Sequence, residues 1–142
     1  MQAEALFRLT LPVLLTLILV VVLQSTETQV KFFQIDEFCC SHTGENQMNP
    51  EFLDKLDQLR NSCGFPFVIT SGYRDPTHPI EAKKKTPGTH AQGIAADIKI
   101  TTGIERYILL REAFAAGFTG IGIASDFIHV DTRETTPVVW TY

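Results

Sequence analysis

Charge of one sign never gathers in this chain. Its longest like-charged run is Lys83, Lys84 and Lys85, which lies between Glu81 and a Pro87-Gly88 turn and reads as the solvated face of a loop rather than an anion site. With no polybasic patch and a formal net charge of −4, nucleic acid is not an expected partner. Repeats and low-complexity segments are also missing, and seven prolines and nine glycines are scattered through the 142 residues. That length supports one compact domain with its own core and excludes two. Cysteine is scarce and odd in number. Cys39, Cys40 and Cys63 allow one bridge, from Cys63 to either neighbour of the adjacent pair, with one thiol left over. That bridge is preferred to three buried thiols, and adjacent cysteines are poorly placed to chelate one ion together with His42.

Long apolar runs are equally few, but the one present is informative. Leu9 to Leu23 carries no charge and explains a mean hydropathy of +0.07 in a chain that is 20% charged. A membrane-spanning helix takes roughly 20 apolar residues, a length reached here only by starting at Ala5 and including Arg8. The run shows no polar face, which argues against a buried core helix. An uncleaved membrane anchor is preferred to a cleaved secretory signal, because the small-residue cleavage pattern around Leu23 to Thr26 is poor. Either one sends the rest of the chain towards or across a membrane. The expected organisation is an anchor or signal over 1–26, a linker over 27–32 and one domain over 33–142.

Within that domain, Asn49 and Pro50 make a helix start, followed by an apolar stripe of Phe52, Leu53, Leu56 and Leu59 up to about Asn61. Pro66 to Thr70 reads as a buried strand, followed by a long polar loop from Ser71 to Thr89. Ala95 to Ile100 is again strand-like. Thr102 and Glu105 form a capping box for a second helix, expected to turn Ile104, Tyr107, Leu110 and Phe114 inward and to stop near Gly117. Thr119 to Ala124, Phe127 to Asp131 and Val138 to Tyr142 read as three short strands. Two helices with late, consecutive strands predict an α+β fold whose sheet is mainly antiparallel, preceded by one N-terminal hydrophobic helix.

Chemistry concentrates around two histidines, each close to carboxylates: His90 with Asp97, and His129 with Asp126 and Asp131. On an extended strand Phe127, His129 and Asp131 share a face, while Asp126 at the turn is free to swing towards the same space. Asp97 stands inside an apolar run, where an unpaired carboxylate is costly. Two imidazoles and a carboxylate suit catalytic zinc with an open fourth position, and Asp126 is then the candidate proton acceptor. Ordinary polar residues and turn caps account for the same spacing equally simply.

Three motifs in order sharpen the choice: SGYRDPTH from Ser71 to His78, GTHAQGIAADI from Gly88 to Ile98, and FIHVD from Phe127 to Asp131. Together they resemble the M15 family of zinc peptidases that act on D-amino-acid-containing wall peptides, over about Phe33 to Tyr142. The resemblance implies a hedgehog/D,D-peptidase-like domain with one Zn²⁺ on His90, Asp97 and His129, a catalytic carboxylate at Asp126 and a substrate-directed Arg74. Tyr73 is a candidate to hydrogen-bond substrate or to pack. Asp131 is expected to orient a ligand histidine, and His78 to order the loop or stand behind a ligand. Gly93 is expected to allow close backbone passage between the metal loop and the strand after it. Pro79, where the family often has Asn, and Gly88, where it often has Ser, are departures confined to the substrate loop.

The implied activity is hydrolysis of peptidoglycan stem peptides, as a D,D-carboxypeptidase or an L-Ala-D-Glu endopeptidase, in an endolysin-like setting of wall lysis or remodelling. A monomer is expected, held to the membrane by its N-terminal segment with the catalytic domain on the periplasmic or wall side, or else secreted. Non-catalytic zinc modules reuse the fold, and the free carboxylate of Asp126 is the feature that favours an enzyme. A wall-binding protein without metal would leave Asp97 unexplained.

Overall fold

The computed structural model describes residues 30–142. The expected N-terminal hydrophobic helix lies outside the described residues. Among them, no helix is long and apolar enough to cross a membrane.

After a 3₁₀ turn at Ile35–Phe38, the first helix, α1, runs over Pro50–Cys63. The Asn49 side chain accepts the Phe52 N–H at 3.0 Å, proline occupies the first turn, and Gly64 ends the helix in the left-handed conformation at φ 71°. The second helix, α2, spans Gly103–Ala115, opened by reciprocal hydrogen bonds between Thr102 and Glu105. Five strands complete the domain: β1 Ile69–Ser71, β2 Ala95–Lys99, β3 Gly120–Ile123, β4 Phe127–Asp131 and β5 Val138–Thr141.

The strands form one sheet in the order β1-β2-β4-β3-β5. Neighbours are antiparallel except β3 and β5, which run parallel. The antiparallel expectation therefore holds for the hairpin part of the sheet and fails at its edge. There the chain leaves β4, crosses the sheet at Thr132 to Pro137, and returns alongside β3. Phe38, Leu56, Leu59, Ile98, Leu109, Ile128 and Val130 are among the fully buried side chains between helices and sheet.

Two expectations need correction. In α2 the buried residues are Leu109 and Ala113, whereas Ile104, Tyr107 and Phe114 are 73%, 65% and 55% exposed. The helix offers two apolar stripes, and the one containing a small residue faces inward, because Ala113 lets α2 come close to α1 where a larger side chain would hold it off. The cysteines are all free. Cys40 Sγ accepts the Asp75 N–H at 3.3 Å, while Cys63 closes α1 next to the charges of Glu112 and Arg111, with its thiol pushed up to about 12 by burial.

Gly93 allows a close backbone passage, against the approach to α1. Its φ is 71°, and a Cβ there would lie 2.1 Å from the Gln47 carbonyl oxygen, so the segment leading into β2 runs hard against the approach to α1.

The face assignment of α2 is testable by equilibrium denaturation. Leu109→Ala should cost about 2–5 kcal/mol, and Ile104→Ser less than about 0.5 kcal/mol. Equal losses would mean that the wrong face has been taken as buried.

Candidate metal centre

Strands β2 and β4 pair so that Asp97 and His129 are direct cross-strand partners. Side chains opposite one another in a sheet point to the same face, so the ladder alone brings imidazole and carboxylate together. His90 comes from the turn before β2. His129 Nδ1 lies 2.8 Å from Asp97 Oδ1, His90 Nε2 lies 3.2 Å from the same oxygen, and the two ring nitrogens are 3.1 Å apart. All three residues are buried, and they form a group able to hold a metal ion.

The outer hydrogen bonds decide what these atoms can do. His90 Nδ1 is 2.7 Å from the Gly72 carbonyl oxygen, an obligate acceptor, so that nitrogen carries the proton and Nε2 keeps its lone pair. His129 Nε2 is 2.9 Å from Asp131 Oδ2, which by the same reasoning leaves the lone pair on Nδ1. When both rings are neutral, two nitrogen lone pairs and an anionic oxygen therefore converge within one small volume with no donor among them. A cation resolves that repulsion, and two imidazoles with one carboxylate are a donor set suited to zinc.

Without a metal, the proton is the competing cation. Burial works against the charged form of both rings. His90 yields to it and titrates below an ordinary imidazole, whereas Asp131 and Asp97 outweigh it at His129 and hold that ring above the ordinary value. Burial likewise opposes ionisation of Asp97, but its hydrogen bonds with His129 and His90 keep it well below the usual carboxylate range.

Arg74 and Asp131 buttress the group. Arg74 donates from Nη2 to Asp97 Oδ2 at 2.8 Å and from Nε to Ser71 Oγ at 2.9 Å. Its other terminal nitrogen is 4.0 Å from Glu81, a buried carboxylate that accepts from Lys84 Nζ at 2.7 Å and from the Gly88 N–H at 3.0 Å. Asp131 is fully buried and also accepts from Arg133, both from its side chain and from its backbone N–H at 3.1 Å. A cleft of about 1240 Å³ opens over the group, lined among others by Arg74, Lys84, His90, His129, Arg133 and Trp140.

Three of the expected site residues stand elsewhere. Asp126 is exposed on the turn between β3 and β4, where its carboxylate accepts from Ser125 Oγ at 3.4 Å, and it does not line the cleft. An offset of three residues from His129 puts it about 10 Å along the strand direction. Its backbone oxygen meets the Ile100 N–H at the far end of the β2–β4 ladder, away from the metal group. Tyr73 is 3% exposed and belongs to the core, its N–H donating to the Phe38 carbonyl. His78 accepts the Ile80 N–H at 3.2 Å and sits edge-on to His42, so it orders the loop and touches none of the three metal-group residues. Glu81, Arg133, Trp140 and Tyr142 are functional neighbours that the sequence did not single out. Only the two-residue offset of Arg133 from Asp131 hints at the pairing.

The Peptidase M15 family profile matches residues 25–131, and the chain belongs to that family. No curated protein matches it. M15 peptidases are zinc-dependent, and the His90, Asp97 and His129 group is the possible zinc site of this one.

A metal has to displace the proton from His129, whose folded value is raised. Affinity is therefore full above that raised value and falls as pH drops through it. A chelator-competition titration should show zinc held at about pH 8 and released towards about pH 5. Asp131→Ala should weaken zinc binding by about 10–100-fold, since it frees the ring that Asp131 orients.

Proposed function

We propose that this chain is a zinc-dependent peptidase that cuts peptide bonds in peptidoglycan stem peptides. The observation that carries the reading is the convergence of two imidazole nitrogens and a carboxylate oxygen, which are three lone-pair donors once both rings are neutral, in an open cleft. Zinc in such a site supplies a Lewis acid and a water that ionises near neutral pH.

The chain's own residues divide the remaining work. His90 and His129 are fixed in one tautomer each by Gly72 and Asp131, so His90 always presents Nε2 inward and His129 always presents Nδ1. Arg74 is permanently charged and tethered at Ser71 and Asp97, which suits it to grip a peptide carboxylate or a carbonyl oxygen gaining charge. Lys84 and Arg133 add positive charge to the cleft walls, in keeping with an acidic peptide. Whether the bond cut is a terminal D-Ala-D-Ala or an internal L-Ala-D-Glu bond rests with the loop from Ser71 to Thr89, where Gly88 leaves room for the Lys84 ammonium beside Glu81. The N-terminal apolar segment would hold the domain at the membrane, on its outer side.

One observation favours a second reading, a zinc-binding module without catalysis: the carboxylate at Asp126 stands away from the cleft.

Incubating the full chain with purified peptidoglycan, with chelator and then with zinc restored, separates the two. Zinc-dependent release of peptide fragments, identified by mass, is expected, and no release from any wall chemistry by folded, zinc-loaded protein would sink the enzyme reading. A general base contributes about 10²–10⁴-fold. Asp126→Ala should fall short of that, losing less than about tenfold in kcat.

A further inference from the structure

The strand between β4 and β5 carries no side chain on the site face at the two places that matter. Across the sheet, Asp97, His129, Gly122 and Trp140 lie in one register row over β2, β4, β3 and β5. A Cβ at Gly122 would sit 2.7 Å from the Trp140 indole, and one at Gly120 would sit 2.2 Å from the Asp131 carboxylate. Because both positions are bare, Trp140 lies over β3 and brings its ring to 5.2 Å from that of His129, with the Arg133 guanidinium 5.1 Å from the indole.

Tyr142 follows just past the end of β5. Two residues beyond Trp140, it faces the same side, with its ring 6.1 Å from the indole and 5.1 Å from Phe127 of β4. It lines the cleft together with Arg74, His90 and His129. The residue as a whole is 69% exposed, and what burial its phenol has raises it above the ordinary value. The carboxylates of Asp97 and Asp131 act in the same direction, with Trp140 and Arg74 acting against them. The hydroxyl is therefore a donor at neutral pH, in a cleft that also carries the cations Arg74, Lys84 and Arg133.

We propose that Tyr142 is a catalytic residue of this centre, its phenol donating a hydrogen bond to the carbonyl oxygen of the scissile bond as negative charge gathers there. Trp140 is the wall that holds it in place. No proton is transferred from the phenol, so the hydrogen bond strengthens and relaxes within each cycle with the hydroxyl intact. The role rests on the zinc-peptidase reading, and it is the alternative to packing that the sequence left open for Tyr73, which the fold has buried.

Tyr142→Phe keeps the ring and removes only the donor at an exposed position, so folding is spared. Loss of one such donor costs about 10²-fold in kcat, with KM and zinc content unchanged. A second readout needs no turnover: cobalt-loaded wild type and variant are titrated with acetohydroxamate, whose oxygens engage metal and donor together, and followed in the visible spectrum. The variant should bind it about tenfold more weakly, one hydrogen bond to a charged acceptor being at stake. Equal kcat or equal hydroxamate affinity in the two proteins overturns the role of Tyr142. If wild type releases nothing from any wall, the proposed function fails, and the hydroxamate titration still decides Tyr142.

Discussion

Everything at this site follows from three acceptors that face one another. Left alone, His90 Nε2, His129 Nδ1 and Asp97 Oδ1 would repel, and the fold holds them together by fixing what lies behind each. The Gly72 carbonyl fixes one ring, the Asp131 carboxylate the other, and Arg74 takes up the second oxygen of Asp97. The outer partners come from β1's trailing loop, from β4 itself and from the crossover after it. Secondary structure alone would not hold the arrangement. The β2–β4 ladder supplies the pairing of Asp97 with His129, and the loops supply the tautomers.

The sequence revealed the part of this that obeys strand periodicity. Asp97 was conspicuous as a carboxylate in an apolar run, and Phe127, His129 and Asp131 alternate as a half-buried strand must. Both helix starts were legible because capping chemistry is local: Asn49 with Pro50, and Thr102 with Glu105. What was not legible depends on non-local packing. Which stripe of α2 turns inward was decided by the approach to α1, and Tyr73 was drawn into the core by the backbone of Phe38. Asp126 was expected to swing inward from its turn, yet the ladder with β2 runs on to its backbone oxygen and leaves its side chain on the outer rim.

The edge of the sheet was the least readable region. Three consecutive short strands suggest a meander, and a meander would put β5 beside β4. The chain instead crosses over and runs parallel to β3, so Trp140 reaches the metal group from a strand that is not its neighbour, and Arg133 does so from the crossover itself. Two bare positions in β3 make this possible. In sequence they read only as glycines interrupting an apolar run, which weakens a strand prediction rather than locating a binding wall.

The ligand positions also bear on how the domain unfolds. Residues 90, 97 and 129 belong to a turn and two adjacent central strands, so an ion bound there ties together segments distant along the chain. Any ligand restricted to the native state stabilises it by mass action, by about 2.7 kcal/mol when free metal stands 100-fold above its dissociation constant. For a small domain with a single core, that is a sizeable share of total stability. The midpoint of thermal unfolding thus becomes a function of metal supply, and the same three residues that define the chemistry double as a removable crosslink.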